Sequence, residues 1–227
     1  VKETGLMFKA PLVRAILAGQ KTQTRRVVKW KNLHQGLNLG FSGLGVEKTP
    51  LGWVLRSDTR TSSEWRCSGT PCPMGNPGDR IYVRETFVQG YKTDPATGAL
   101  RECDEDGNDV PMSTWYRATD GGISWSDDDG WETNVPWKPA IHMPKALARI
   151  WLEINGVRVQ RLQSITEADC IAEGATGGHG AIPNYAYSAT PLEHFRHIWE
   201  STGGDWTANP WVWVVDFKTI STTGQPT

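Results

Sequence analysis

Long apolar runs are missing from the sequence. Only 38% of its 227 residues are hydrophobic, and no stretch approaches the ~20 consecutive apolar residues that cross a bilayer as a helix. A membrane partner is therefore not expected. Cysteine is scarce as well: Cys67, Cys72, Cys103 and Cys170 are the only four. They lack the spacing of a disulfide framework, which agrees with a reducing compartment. Cys67 and Cys72 are spaced like half of a zinc site, but no second Cys/His pair follows at finger-like distance. Neither a metal nor an organic cofactor is expected. No sign of charge dominates, because 24 Lys and Arg face 25 Asp and Glu for a net charge of -1. That balance excludes a protein-wide field for holding polyanionic nucleic acid. The opening Val1-Lys2-Glu3-Thr4-Gly5-Leu6-Met7-Phe8-Lys9 lacks the charged-then-apolar pattern of an export signal, so the expected location is the cytoplasm.

Tryptophan, by contrast, is abundant. Twelve indoles supply core volume and flat faces for stacking, and core packing is their default role. Charge is also unevenly placed. Lys21, Arg25, Arg26, Lys29 and Lys31 share residues 21–31 with no acid, while Asp104-Glu105-Asp106 and Asp127-Asp128-Asp129 offset them elsewhere.

Periodicity outlines the elements. Extended Leu6-Met7-Phe8 leads to Pro11 at a helix start, with Leu12, Val13, Ile16 and Leu17 at helical spacing and Gly19 as the stop. Residues 21–28 form the turn and strand that leave this helix, where side chains converge on a pocket. Trp53-Val54-Leu55 marks a hairpin within a Gly-, Ser-, Thr- and Pro-rich excursion. Asn76-Pro77-Gly78-Asp79 is a turn, and residues 80–87 read as one core strand. A second excursion contains hairpin pieces around Trp115-Tyr116-Arg117-Ala118. Two β-rich runs, residues 148–154 and 157–162, flank Asn155-Gly156, a strong hairpin-turn signal. Ser164 and Glu167 form a capping box that opens a helix ending at Glu173-Gly174. A helix over residues 191–199, a strand over 211–217 and a polar tail close the chain. Several strands and few helices give an α+β class, a barrel or half-barrel, since lone helices cannot cover both faces of a parallel sheet. The length suits one domain over residues 1–220, with insertions at about 32–77 and 88–137 and a disordered tail at 221–227.

Four segments carry a family resemblance: Leu17-Ala18-Gly19-Gln20-Lys21-Thr22-Gln23-Thr24-Arg25-Arg26; Pro77-Gly78-Asp79-Arg80-Ile81-Tyr82-Val83-Arg84-Glu85; Leu162-Gln163-Ser164-Ile165-Thr166-Glu167 running to Glu173-Gly174; and Asn209-Pro210-Trp211-Val212-Trp213. In this order they resemble the ASCH domain family, in the longer form found in phage and prophage genomes. The resemblance covers the first thirty or so residues, the strand near residue 80 and much of the chain after Trp137. It implies a PUA-like small β-barrel with flanking helices and two long insertions. Small bacterial N4-acetylcytidine amidohydrolases of that family use a lysine and a threonine from a Gly-x-Lys-Thr-x-Thr turn, and a glutamate near the end of a later helix. Gly19-Gln20-Lys21-Thr22-Gln23-Thr24 fits that turn. The resemblance thus implies Lys21, Thr24 as nucleophile, and Glu173 as the catalytic residues.

Amide hydrolysis at cytosine N4 needs a nucleophile, a base for its proton and an acid for the leaving amine. Lys21 serves as base only when neutral, so its pKa must fall from about 10.4 to about 7–8, a direction that burial and the nearby Arg25 and Arg26 favour. Glu173 either orients Lys21 or delivers the proton to the leaving nitrogen, two roles the sequence leaves open. Arg84 and Glu85 end a core strand, where they pair with each other or meet a base edge. Arg25 joins them as a substrate-side candidate, with Trp137 and Trp211 as stacking candidates. His142, in the stiff segment 138–144, stays outside this set. The expected activity is metal-independent removal of acyl groups from N4 of cytosine nucleosides or bases. Its partner is a small-molecule acylated cytosine nucleoside, with no obligate protein partner. The alternative is an RNA- or modified-nucleobase-binding module without catalysis, in which residues 21–31 contact phosphates. A third reading, RNA cleavage by Lys21 and Glu173, lacks the histidine expected of such chemistry.

Overall fold

The computed structural model describes residues 1–57, 66–91, 112–126 and 131–226. In chain order it contains β1 (Glu3–Met7), α1 (Ala10–Leu17), β2 (Gln23–Val27), β3 (Leu44–Thr49), β4 (Gly52–Ser57), β5 (Arg80–Arg84), β6 (Phe87–Gly90) and β7 (Ser113–Tyr116). There follow α2 (Arg117–Asp120), β8 (Trp125–Ser126), β9 (Glu132–Thr133), β10 (Trp151–Arg161), α3 (Glu167–Ala172), α4 (Pro191–Ser201) and β11 (Trp211–Ser221). Pro11 sits in the first turn of α1, where its missing N–H costs nothing, and Val13, Ala15 and Ile16 turn inward. The excursion at 32–77 contains the β3–β4 hairpin. Asp104-Glu105-Asp106, Asp127-Asp128-Asp129 and Cys103 lie outside the described residues.

One five-stranded sheet, ordered β1-β5-β10-β11-β2, organises the molecule. Its β1 and β5 are parallel and its remaining pairs antiparallel. The long β11 shows how sequence becomes layer. Trp211, Trp213, Val215 and Phe217 pack into one apolar cluster with Val13, Ile16, Ile81 and Val83, while Val212 and Val214 pack into another with Leu162, Cys170, Phe195 and Trp199. Alternate residues of a strand point to opposite faces, so a nearly continuous apolar run marks a strand covered on both sides. Among the described residues no helix is long and apolar enough to cross a membrane.

The α+β class stands, but the PUA-like barrel does not. The molecule has several open sheets, and none described here closes on itself. Closure would require β1 and β2, the two edges, to approach to ~4.8 Å and exchange ladder bonds. Side chains hold that gap instead: the Arg26 guanidinium donates to the Met7 carbonyl at 3.0 Å and lies over the Phe8 ring at 5.5 Å.

Three local readings also change. Asn155-Gly156 makes no hairpin, because β10 runs straight through it and pairs along its length with β11. The register skips between Ile154 and Gly156, so Asn155 is the extra residue of a bulge. An eleven-residue partner strand supplies more ladder bonds than a local turn could. The helix cap lies two residues beyond Ser164. Thr166 caps α3 and Asp169 completes the box, while Ser164 ends a preceding 3-10 turn. The expected strand over residues 80–87 breaks after Arg84, and β6 leaves the main sheet to pair with β7.

Candidate functional site

The turn after α1 is bound to the end of α3. The Lys21 N–H donates to the Ala15 carbonyl at 3.0 Å, and the Thr22 N–H donates to the Ala172 carbonyl at 2.8 Å. Glu173 is the C-cap of α3 and is followed by Gly174 at φ 88°. A side chain at 174 would be strained at that φ, and its Cβ would meet the Ala15 Cβ at 3.1 Å and the Lys21 Cβ at 3.4 Å. Glycine therefore permits the close approach that places Glu173 on Lys21.

Lys21 is 1% exposed. Its Nζ donates to Glu173 Oε2 at 2.6 Å, to the Gln23 carbonyl at 2.6 Å and to the Glu173 carbonyl at 2.9 Å. Burial pushes its pKa below 10.5, against the charge and hydrogen bond of Glu173, and the charges of Arg26 and Arg25 add to the lowering. Arg25, equally buried, reaches Glu173 Oε1 at 3.2 Å and Asp169 Oδ2 at 3.2 Å. Its Nη1 also donates to Gln23 Oε1. Gln23 in turn donates to Asp169 Oδ1 at 3.1 Å and to Asp216 Oδ1 at 2.6 Å. Burial raises the Asp169 carboxyl, but hydrogen bonds from Thr166 and Gln23 and the charge of Arg25 outweigh it and leave the pKa below the usual value. Two buried cations thus face two carboxylates in one hydrogen-bonded network. Such a network tolerates desolvation only while each member keeps its partner.

This network borders a cavity of about 420 Å³. Lys21, Thr24, Arg25, Arg26 and Glu173 line it, with Phe8, Phe195 and Trp199 among its apolar walls. Thr24 comes from β2 and is 1% exposed. Among the hydrogen bonds of the described residues, none joins Thr24 to Lys21 or Glu173, so the three side chains share a cavity without a preformed relay. Two lining residues carry buried donors with no hydrogen-bond acceptor, Arg25 Nε and Trp199 Nε1. Arg25 Nη2 likewise has none, although it lies near Asp169, because that ion pair is poorly aligned for a hydrogen bond.

The other sequence candidates lie elsewhere. Arg84 donates through Nε to the Met143 carbonyl at 3.1 Å and through Nη2 to that of Ile141, which pins segment 138–144. Glu85 is buried against Arg149 through two bonds of 2.9 and 3.0 Å. Burial raises its pKa against the opposing pull of Arg149. Arg84 and Glu85 therefore take structural partners, though not each other. Trp211 is a core residue whose ring is covered by the Arg161 guanidinium at 4.3 Å. Trp137 is half-buried and does not border the cavity. The aromatic walls come instead from Phe8 and from Phe195 and Trp199, one helical turn apart on α4. Their spacing was visible as the inner face of a helix, but nothing local distinguishes a core wall from a cavity wall. Gln23 and Asp169 were also missed, although Gln23 sits inside the basic turn.

Cys67 and Cys72 are buried, and burial raises both thiols. Among the described residues no group of three or more His, Cys, Asp or Glu is placed to hold a metal ion. The ASCH resemblance is corrected on two grounds, the open sheet and the outcome of the comparisons. No protein-family model matches the chain, and no curated protein or solved structure matches it.

Proposed function

We propose that this cavity hydrolyses an amide on the exocyclic amine of a flat heterocycle, namely N4-acylated cytosine as nucleoside or base. The observation that carries the reading is the convergence of Lys21, Thr24 and Glu173 on one cavity, with the lysine–glutamate pair at 2.6 Å. Burial disfavours the charged amine. Proton transfer from Lys21 Nζ to Glu173 Oε2 then gives a neutral amine and a neutral acid, against the pull of Arg25 on the carboxylate. In this form Thr24 Oγ1 attacks the acyl carbon while its proton passes to Lys21. Glu173 protonates N4 as the C–N bond breaks, leaving an acyl-threonine ester and the original ion pair. A second proton exchange lets Lys21 deprotonate the attacking water while Glu173 returns a proton to Thr24, which releases the carboxylic acid.

Substrate recognition has support of its own. Phe8, Phe195 and Trp199 offer flat apolar faces, and Arg25 and Trp199, whose Nε and Nε1 donors are covered and without an acceptor, stand among the residues that line the cavity. A second reading, binding of RNA or a modified nucleobase without catalysis, is favoured by the three acceptors already engaged by Lys21.

Ultraviolet absorbance follows N4-acetylcytidine becoming cytidine. The expected result is turnover by the wild type, retained in Thr24→Ser and reduced by about a thousandfold or more in Thr24→Ala. Equal rates for wild type and Thr24→Ala would reject the nucleophile. Tight binding without turnover would favour the second reading.

A further inference from the structure

We propose that a second cavity, beside the first, is a phosphate subsite, so that the substrate is a phosphorylated nucleoside rather than a free base. This rests on the reading above and names its substrate class. The second cavity has a volume of about 590 Å³ and is lined by Thr4, Leu6, Arg26, Val27, Lys29, Lys31, Thr70, Pro71, Pro73, Met74 and Trp213. Leu6, Arg26 and Val27 line both cavities. The two spaces therefore adjoin along a trough between the edges β1 and β2, divided by the Arg26 side chain that bonds the Met7 carbonyl. From Thr24 the lining continues along the chain through Arg26 to Lys29. At ~3.3 Å per residue of extended chain, that path suits a nucleotide rather than a base alone.

The charge in the second cavity is only partly balanced: Arg26 spans the gap between the sheet edges and feels the charge of Glu173, while Lys29 and Lys31 have no such partner among the described residues. Its lining includes Arg26, Lys29 and Lys31 but no acid. Among the described residues none of these cations forms an ion pair. Among the described residues, Arg26 donates to the carbonyls of Arg25 and Met7. Lys29 and Lys31 are exposed, and an anion between them and Arg26 gains from like charges gathered on one cavity. A fourth polar group lies beside them, since Thr4 Oγ1 is buried without a hydrogen-bond partner. A phosphate takes several donors at once from such groups, and the apolar floor of Leu6, Met74 and Trp213 accommodates the sugar or a neighbouring base.

The test compares kcat/KM for N4-acetylcytidine, its 5′-monophosphate and a trinucleotide with N4-acetylcytidine at its centre. Wild type is expected to prefer the phosphorylated substrates by about tenfold or more at about 50 mM salt, and that preference should weaken at about 200 mM as the charges are screened. Lys29→Ala combined with Lys31→Ala should abolish the preference and leave nucleoside turnover unchanged. Equal rates for nucleoside and monophosphate in wild type, or a preference that survives the double substitution, would overturn the subsite. A trinucleotide better than the monophosphate assigns the phosphate to a polynucleotide; parity assigns it to a free nucleotide. Should none of the three be hydrolysed, the amidohydrolase reading fails on its own. Calorimetry of cytidine 5′-monophosphate against cytidine then still decides the subsite. Affinity that requires both the phosphate and the two lysines supports it, and equal affinities refute it.

Discussion

Lys21 and Glu173 depend on each other more than on any other residue. Glu173→Gln keeps the shape of the side chain but leaves a buried ammonium facing carbonyls and Arg25, and breaking such a pair costs about 3–5 kcal/mol. The loss should depend on pH. The folded-state pKa of Lys21 lies below that of the unfolded chain, so between the two values the unfolded state binds more protons and stability rises with pH. Glu173→Gln removes the influences that raise the Lys21 pKa, which widens this window downward. Urea unfolding of the variant at about pH 7 and about pH 9 should therefore give a higher midpoint at the upper pH, with a larger difference than in wild type.

At the level of elements, α3 carries the glutamate and its cap secures the ion network. Asp169 both closes the capping box with Thr166 and pairs with Arg25. Thr166→Ala should cost about 1 kcal/mol in chemical denaturation and lower kcat, whereas Ser164→Ala should stay within about 0.5 kcal/mol of wild type. Equal effects at the two positions would return the cap to Ser164. Gly174→Ala should be the more damaging change, costing about 1–3 kcal/mol through its positive φ. It should also reduce turnover beyond the loss of folded protein, because the added methyl crowds the Ala15 Cβ at 3.1 Å, and the Ala15 carbonyl holds the Lys21 N–H.

Across the whole molecule, some core residues also wall the cavities, as Phe195, Trp199 and Trp213 do, and others do not. Trp211 lies inside the core with its ring covered, so Trp211→Ala should lower stability by about 3–5 kcal/mol in urea unfolding, while the protein that remains folded keeps its KM. Trp137→Ala should leave both turnover and KM within error, since the residue borders neither cavity. A raised KM in Trp137→Ala would mean that the substrate reaches beyond the trough.

Chemistry carried by residue type and local spacing was legible in the sequence. The end of α1 at Gly19, the strand that begins in the basic turn and the helix from Pro191 follow from turn stereochemistry and periodicity, which act over a few residues; the grouping of Lys21 and Thr24 with Glu173 was implied only by the family resemblance. Local signals failed where a distant partner outweighed them. Asn155-Gly156 is a good turn, yet β11 offers it a full ladder; Ser164 is a good cap, yet Thr166 is the one whose box partner also holds Arg25. Only the tertiary structure decided that β1 and β2 remain apart, that the walls of the cavity are Phe8, Phe195 and Trp199, and that Arg84 and Glu85 serve other partners. Those outcomes depend on which side chains occupy the space between two sheet edges, and that space exists only once strands far apart in sequence have paired.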